Sequence, residues 1–341
     1  MTPLPVKPSV VEANAKPRPS GRPRPGLAVV FPGQGAQAPG MGLDLARAYP
    51  AAGEVFRTAD RVLGYRLSAL VAAGDERLLA WTDVTQPALL AASLAAWRAL
   101  QTELPGLPVG YAAGLSLGEY SALAAAEALD LESALRLVGW RGRFMEDAAR
   151  RSDGGMLAVL GLDRATVAAV VREAGGGEAW VANFNAPGQT AVAGRTAALG
   201  PVAREAAARG GRAVPLRVGG AFHCPLMTGA ASRLGPLLRA TRWRLPALPV
   251  YANATGRPYR TVGELPARLE AQVTAPVLWE DIVLDLSSRG VRLFIEVGPG
   301  RTLAGLITRT VPDAVTVGVS DLASLAKAVE FLRPFALEVV S

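Results

Sequence analysis

The sequence has one cysteine, one histidine and no long apolar run, and each scarcity limits what the chain can be. With Cys224 alone, the chain can form neither an internal disulfide nor a thiolate metal cluster. No apolar run reaches the roughly 18 residues that span a bilayer, and the N-terminus lacks the apolar core of a signal peptide. We therefore expect a cytoplasmic protein in a reducing setting, with no membrane contact.

Aromatic residues are also few, at 6%, and the net charge of +7 is concentrated at one end. Residues 1–26 carry five Lys or Arg against Glu12 alone, which is +4 of the total. The remaining +3 suits an acidic partner, but aromatic and basic residues do not alternate as single-stranded nucleic acid requires, so we expect no nucleic-acid partner. The proline-rich composition of residues 1–26 predicts a disordered arm, and a tether to nucleic acid or a membrane surface is the alternative.

What the chain does have is a strand–turn–helix pattern over residues 109–129. A short apolar run leads into Gly114-Leu115-Ser116-Leu117-Gly118, and a helix follows from Glu119. G-x-S-x-G between a strand and a helix is the nucleophile-elbow pattern, which predicts that Ser116 is a nucleophile. We expect Gly114 and Gly118 to allow a bend too sharp for β-carbons and to clear space around the hydroxyl. An ordinary β–α turn is the alternative.

The single histidine, His223, is the one imidazole that could activate such a serine. A serine nucleophile needs a base that titrates near neutrality, so His223 is the base if Ser116 reacts by a Ser–His route. A structural histidine is the alternative. We interpret its neighbour Cys224 as a small buried side chain rather than a second nucleophile.

One arginine lies on the apolar face of a predicted helix that begins after Asp130, its N-cap, and runs to about Arg150. At 100° per residue, one face of this helix collects Ala134, Leu137, Val138, Arg141, Met145 and Ala148. Burying an unpaired guanidinium is costly, so Arg141 must meet a carboxylate. We favour a carboxylate of a ligand, and an ion pair within the protein is the alternative.

Two further polar positions leave a choice open. The strand Leu27–Phe31 leads into Gly33-x-Gly35-x-x-Ala38, which formally fits a dinucleotide-binding fingerprint. Pro39 disfavours that fingerprint because it interrupts the helix that must open there; we expect a loop that brings backbone N–H groups and Gln34 over a neighbouring site. A helix is predicted after this loop, from about Leu43 through about Val62. Gln86 lies just ahead of another predicted helix, which Thr85-Gln86-Pro87-Ala88 opens, where it could point into a cleft or cap the helix.

The order of predicted elements indicates two parts of α/β class. After residue 154 the order βαββαβ is that of a ferredoxin-like unit, with strands at 156–160, 179–184, 189–194 and 212–217 and helices at 163–174 and 196–209. We expect a large α/β-hydrolase-like part with a parallel sheet and the elbow, interrupted by this unit. The predicted divisions are an arm at 1–26, the large part at 27–153 and 220–325, the ferredoxin-like part at 154–219, and a tail at 326–341. A short helix is predicted from Leu322, and an apolar run at 335–340 follows it.

From Leu27 to about Leu325 the chain resembles the malonyl-CoA:acyl-carrier-protein transacylases and the acyltransferase domains of polyketide synthases. Seven motifs in order carry the resemblance: Gly33-Gln34-Gly35-Ala36-Gln37, Thr85-Gln86-Pro87-Ala88, Gly114-x-Ser116-x-Gly118-Glu119-Tyr120, Arg141-Gly142-x-x-Met145, Asn183-Phe184-Asn185-x-Pro187-Gly188-Gln189, Ala221-Phe222-His223-x-Pro225-Leu226-Met227 and Glu296-Val297-Gly298-Pro299-Gly300.

The resemblance implies ping-pong transfer of a malonyl group from malonyl-CoA, through an ester on Ser116, to the phosphopantetheine thiol of an acyl carrier protein. His223 would be the base, oriented by a backbone carbonyl at Gln272 rather than by an acid. The backbone N–H groups of Leu117 and Gln34 would hold the oxyanion. Arg141 would pair in bidentate fashion with the malonyl carboxylate.

The resemblance also assigns substrate contacts to Gln86 and Asn185, and it implies a monomer with no metal or other cofactor. Phe222, directly before the histidine, goes with malonyl rather than methylmalonyl groups in the polyketide relatives. Leu115 departs from the family, which usually has histidine there, and makes the acyl preference less secure. An acyl hydrolase of the same fold, a transferase of another acyl group and a silent carrier-protein docking module are the alternatives.

Overall fold

The computed structural model describes residues 26–337. Its strands are β1 Leu27–Phe31, β2 Tyr111–Gly114, β3 Gly154–Leu160, β4 Ala179–Ala186, β5 Gln189–Arg195, β6 Arg212–Pro215, β7 Tyr251–Ala252, β8 Arg257–Pro258, β9 Val277–Leu278, β10 Leu293–Val297 and β11 Val315–Val319. The predicted arm, except Gly26, and residues 338–341 of the predicted tail lie outside the described residues.

Helices surround these strands. They are α1 Leu43–Ala48, α2 Pro50–Leu63, α3 Leu67–Ala73, α4 Glu76–Leu79, α5 Thr82–Glu103, α6 Gly118–Ala125, α7 Leu131–Arg151, α8 Arg164–Ala174, α9 Thr196–Ala208, α10 Thr228–Ala240, α11 Glu264–Gln272, α12 Trp279–Ser288, α13 Thr302–Thr310 and α14 Leu322–Leu337, with a 3-10 turn at Pro225–Met227. None of the helices within residues 26–337 has the length and apolar character needed to cross a membrane.

A parallel sheet in the order β11-β10-β1-β2 forms the centre of the larger part. In β1, Val29 and Phe31 pack into a core with α5, α6 and α7, whereas Ala28 and Val30 pack on the other face with α12 and α13. Both faces are therefore buried, which explains why β1 is a continuous apolar run rather than an alternating one. The predicted parallel sheet is confirmed.

The predicted βαββαβ order is also confirmed, as β3-α8-β4-β5-α9-β6. These strands form an antiparallel sheet in the order β6-β3-β5-β4 with a core of its own, which includes Leu157, Val192 and Val202. The short strand β9 pairs with β4 in parallel. A two-residue strand of the larger part therefore extends the sheet of the ferredoxin-like part. The sequence does not predict this addition, and the division at 154–219 stays a prediction.

The carboxyl ends of β1 and β2 meet at one edge of the parallel sheet, where Phe31 pairs with Gly114. The loop after β1 carries Gln34, and the turn after β2 carries Ser116. Ligands in open α/β folds bind outside the carboxyl ends of the strands. The topology therefore places the loop that carries Gln34 next to the turn that carries Ser116.

Three predicted helix bounds are wrong. The helix predicted from Leu43 through Val62 is two helices, because Pro50 begins α2 at its first position. The helix predicted to open at Thr85 begins at Thr82, and Pro87 lies inside it. The helix predicted to be short after Leu322 runs to Leu337, and it buries Ala328 and Leu332 in the main core.

Candidate active site

The turn after β2 places Ser116 in the left-handed region, with φ 53°. A β-carbon on Gly114 would lie 2.0 Å from the carbonyl of Gly118, and one on Gly118 would lie 2.1 Å from the Phe31 oxygen. The expectation that β-carbons do not fit here is confirmed. The strained backbone belongs to the serine, however, since neither glycine has a positive φ.

Replacing Gly118 by alanine should therefore destabilise the protein by about 3 kcal/mol, because the methyl group meets backbone atoms that cannot rotate away. Gly305 is the matched control: it lies exposed in α13, and a β-carbon added to it would have no other atom within 4 Å. Gly305→Ala should stabilise the protein by up to about 1 kcal/mol. Urea unfolding of both variants measures the two changes, and equal effects would contradict the close approach at the elbow.

Ser116 and His223 form a hydrogen-bonded pair, with 2.7 Å between Oγ and Nε2. The Nδ1 atom of His223 lies 2.8 Å from the backbone oxygen of Gln272. A carbonyl only accepts, so Nδ1 carries the proton and Nε2 is free to accept the serine proton. Burial, and next the charge of Arg141, lower the pKa of His223 to about 4, which keeps the imidazole neutral and ready to accept a proton at neutral pH.

Arg141 is buried in α7, 1% exposed, on the face that the periodicity predicts. Its Nη2 donates to Ser116 Oγ at 3.1 Å and to Gln272 Oε1 at 2.9 Å, and its Nη1 donates to Gln86 Oε1 at 2.7 Å. Within residues 26–337 no carboxylate forms an ion pair with Arg141, and its Nε has no hydrogen-bond partner. The predicted alternative of an ion pair within the protein is therefore not what the structure shows.

Gln86 is buried inside α5 rather than ahead of it, so the prediction that it could cap the helix is wrong. Its Nε2 lies 3.5 Å from the sulfur of Met145, which leaves its oxygen facing Arg141. The close approach of α5 to α7, which brings Gln86 to Arg141, needs Gly142, since a β-carbon there would lie 2.8 Å from the Thr82 oxygen. Because the Gln86 oxygen accepts from Nη1 of Arg141, Gln86 orients the guanidinium.

The backbone N–H groups of Leu117 and Gln34 donate no hydrogen bond within the described part of the chain. Leu117 directly precedes α6, and Gln34 follows Gly33, whose β-carbon would lie 2.5 Å from the Leu115 oxygen. The loop after β1 therefore packs directly on the elbow, as predicted. It contains no helix before Leu43, so the dinucleotide fingerprint lacks the helix that it needs.

Three predicted residues lie outside the hydrogen-bonded group around Ser116. Phe222 is 5% exposed and packs in the main core directly before His223. Leu115 packs beside the core on the other face of the sheet. Asn185 lies on β4, and its buried Oδ1 has no partner among residues 26–337, so its substrate contact stays a prediction.

Cys224, next to the histidine, is buried, and its thiol donates to the Ala221 oxygen at 3.2 Å. Burial raises the pKa of this thiol to about 11, so it is not a thiolate at neutral pH. The interpretation of Cys224 as a small buried side chain agrees with these contacts.

Sequence reasoning missed two site residues, Glu119 and Asn253. Both are fully buried, at 0% exposed, and Asn253 Oδ1 accepts the Ser116 N–H at 2.5 Å. Asn253 comes more than a hundred residues after the elbow, with no local motif around it. Glu119 belongs to the quoted elbow motif, and its place directly after Gly118, in the first turn of a helix that otherwise carries no charged residue, is the signal that could have found it.

The chain is similar to known proteins over most of its length. The model of the acyl transferase domain family matches residues 28–331. The malonyl CoA-acyl carrier protein transacylase of Haemophilus influenzae is 41% identical over 310 residues, which are 90% of this chain and 99% of that protein.

Solved structures agree with that comparison. A malonyl-transacylase solved with the holo acyl-carrier protein of a type II PKS is 40% identical, with a TM-score of 0.86 and coverage of 89% of this chain and 99% of that one. The acyl carrier protein S-malonyltransferase of Vibrio cholerae is also 40% identical, with a TM-score of 0.85 over the same shares. The chain therefore belongs to the acyl transferase family, among the malonyl CoA-acyl carrier protein transacylases.

Proposed function

We propose that this chain transfers a malonyl group from malonyl-CoA to the phosphopantetheine thiol of an acyl carrier protein. The observation that carries the proposal is Arg141, a buried cation that lacks a carboxylate partner within residues 26–337 and donates to the oxygen of a serine paired with histidine. A thioester whose acyl group ends in a carboxylate supplies the missing anion at the place where the acyl group attaches. The names of the relatives support the same substrates.

In the first half-reaction the Ser116 Oγ attacks the thioester carbonyl while Nε2 of His223 takes its proton. A C–O bond forms, the C–S bond breaks, and the imidazolium gives its proton to the departing coenzyme A sulfur. The Gln272 carbonyl, 2.8 Å from Nδ1, stabilises the imidazolium in place of an acid. The product of this step is a malonyl ester on Ser116.

In the second half-reaction the phosphopantetheine thiol gives its proton to the now neutral His223 and attacks the ester carbonyl. A C–S bond forms, the C–O bond breaks, and the proton returns to Ser116. The N–H groups of Leu117 and Gln34 would hold the oxyanion of both tetrahedral intermediates, since they have no other partner within the described residues. Malonyl-carrier protein leaves, and the serine is free again.

Arg141 would grip the malonyl carboxylate with a two-pronged donor that lysine lacks. Gln86 and Gln272 each accept one of its N–H groups and hold the fork in place. A hydrolase of uncharged acyl groups gains nothing from this buried cation, and a silent docking module needs no paired serine and histidine. The Phe222 ring would leave no room for the α-methyl group of a methylmalonyl substrate. Leu115 would change the packing at the wall of the acyl pocket.

Every residue of this site comes from one chain, so we propose that a monomer suffices. Nucleophile, base and oxyanion donors are all side-chain or backbone groups, and we propose that the reaction uses no resident cofactor. With its one cysteine buried and free, the protein suits the reducing cytoplasm in which we expect it.

The proposal is tested by transfer to a carrier protein, measured by the intact mass of that carrier. With malonyl-CoA and the holo carrier, the enzyme should add a malonyl group, and the apo carrier, which lacks the thiol, should stay unmodified. Ser116→Ala should abolish transfer while the thermal unfolding midpoint stays close to that of the unmodified protein. Release of free malonate with no carrier product would instead support the hydrolase.

A further inference from the structure

Glu119 lies in the first turn of α6, fully buried, and three groups donate to its carboxylate. The Tyr259 hydroxyl donates to Oε1. The Asn253 N–H donates to Oε2 at 3.0 Å and the Gln272 Nε2 donates to the same oxygen at 2.7 Å. All three partners are donors, so the surroundings fit the ionised carboxylate.

Two of these partners hold the backbone of the nucleophile on both sides. Asn253 Oδ1 accepts the Ser116 N–H at 2.5 Å, and its Nδ2 donates to the Gly114 oxygen at 2.8 Å. Gln272 Nε2 donates to the backbone carbonyl oxygen of Ser116 at 2.8 Å. A serine in the left-handed region costs about 1–3 kcal/mol and persists only where its surroundings hold it. Glu119 accepts from the backbone N–H of Asn253 and from the side-chain amide of Gln272, so it contacts both residues that do so.

The same carboxylate determines which way the Gln272 amide faces. An amide whose nitrogen donates to Glu119 must turn its oxygen away, and that oxygen accepts from Arg141 at 2.9 Å. If the amide turned over, two donors would face each other at Arg141 and two acceptors at Glu119. The backbone oxygen of the same residue orients His223.

We propose that Glu119 is a positioning residue for acyl transfer, which through Asn253 and Gln272 holds Ser116 in its strained conformation and Arg141 in its binding orientation. This inference rests on the proposed function for the role of Arg141. Glu119 itself touches neither Ser116 Oγ nor His223.

The proposal predicts a dependence on pH. Burial raises the pKa of Glu119 to about 7, against the hydrogen bonds from Tyr259, Asn253 and Gln272 and the charge of Arg141. The other charged or titratable groups that face it are Tyr120 on its own helix and, over the Tyr259 ring, Arg268 of α11. A protonated Glu119 would meet only donors, so activity should fall as the pH drops through about 7. Burial and the charge of Arg141 lower the pKa of His223 to about 4, so its titration is expected well below that fall.

The test compares Glu119→Leu and Glu119→Gln with Glu296→Gln as the control. Glu296 is also buried, but it accepts from the N–H groups of Leu303 and Ala304 at the start of α13, away from Ser116. Malonyl loading from malonyl-CoA and acetylation of Ser116 by p-nitrophenyl acetate are both measured from pH 5.5 to 8.5. p-Nitrophenyl acetate reacts with the positioned nucleophile, but its acyl group has no terminal carboxylate for Arg141 to bind. Circular dichroism verifies the fold of each variant.

Glu119→Leu should load malonyl and react with p-nitrophenyl acetate about 10²-fold more slowly, as expected when reacting groups shift by an ångström. Glu119→Gln keeps an acceptor for Asn253 and Gln272, so it should stay within about tenfold of the unmodified protein at pH 8, the cost of about one hydrogen bond. It should also lose the fall near pH 7, which Glu296→Gln should keep.

Folded Glu119→Leu that reacts at the unmodified rate would overturn the proposal. So would Glu119→Gln that keeps the fall near pH 7, and this second outcome decides the matter if the leucine variant does not fold. An unmodified protein that reacts with p-nitrophenyl acetate at Ser116 but takes no malonyl would reject the proposed function alone, and the ester probe would still test the positioning role.

Discussion

Replacing Arg141 by alanine is expected to lower malonyl loading of Ser116 by roughly 30- to 5,000-fold, while acetyl loading changes little. Removing one partner of a buried, hydrogen-bonded charge pair costs about 2–5 kcal/mol, because the remaining charge stays desolvated and unpaired. Acetyl-CoA has no terminal carboxylate and so does not lose this interaction. The ratio of kcat/KM for the two thioesters measures the effect.

Two further variants make the result specific to the guanidinium. Arg136→Ala removes an exposed arginine from the opposite face of the same helix, where it pairs with Glu132, and should leave the ratio unchanged. Arg141→Lys keeps the charge but loses the two-pronged donor, so its ratio should fall between those of the alanine variant and the unmodified protein. An equal loss of malonyl and acetyl loading in Arg141→Ala would show that Arg141 acts on Ser116 alone.

Replacing His223 by alanine should slow formation of the acyl-serine by about 10²- to 10⁴-fold for every thioester, since the proposed general base is lost. No second histidine exists in the chain to take its place. Because burial and Arg141 hold the pKa of His223 at about 4, the neutral base is present throughout the range from pH 5 to 8. Loading by the unmodified protein should therefore lose its base only as the pH falls toward 4.

Added imidazole should restore part of the rate in His223→Ala, because the vacated space lies beside Ser116 Oγ. Cys224→Ala is the matched neighbour, and its buried, protonated thiol should prove dispensable for loading. A rate in His223→Ala that equals that of the unmodified protein would mean that another group deprotonates Ser116.

The three principal residues of the candidate site, Ser116, Arg141 and His223, could be predicted because each leaves a local signal. The elbow needs glycine at 114 and 118, since β-carbons there would meet backbone atoms. This requirement is visible within five consecutive residues of the sequence. Arg141 interrupts an apolar face whose 3.6-residue period is legible within one helix. His223 is unique in the chain, so counting alone selects it.

The residues that hold these groups could not be predicted, because their contacts join distant parts of the chain. Asn253 and Gln272 reach Glu119 across more than a hundred residues of sequence, and no local pattern relates them. The resemblance assigns a role to Gln272 for its backbone oxygen only. That its side chain also binds Arg141 and Glu119 emerges from the packing of α11 against the elbow.

The predicted helix bounds are wrong near two prolines, because proline can either begin a helix or lie inside one. Pro50 begins a helix, whereas Pro87 lies within one, in a position where the preceding turn from Thr82 already forms. The sequence around Gln86 reads as a helix start, yet tertiary packing against α7 extends the helix upstream. That extension turns Gln86 from a potential cap into a buried partner of Arg141.

We propose that Ser116 takes a malonyl group because the buried guanidinium of Arg141 lies 3.1 Å from its Oγ. The most direct measurement mixes the protein with equal amounts of malonyl-CoA and acetyl-CoA for a few milliseconds and weighs the intact product. We predict a malonyl adduct in large excess, which digestion of the product assigns to the peptide that contains Ser116, and a mixture without that excess in Arg141→Ala. Acetyl loading equal to malonyl loading in the unmodified protein would contradict the account.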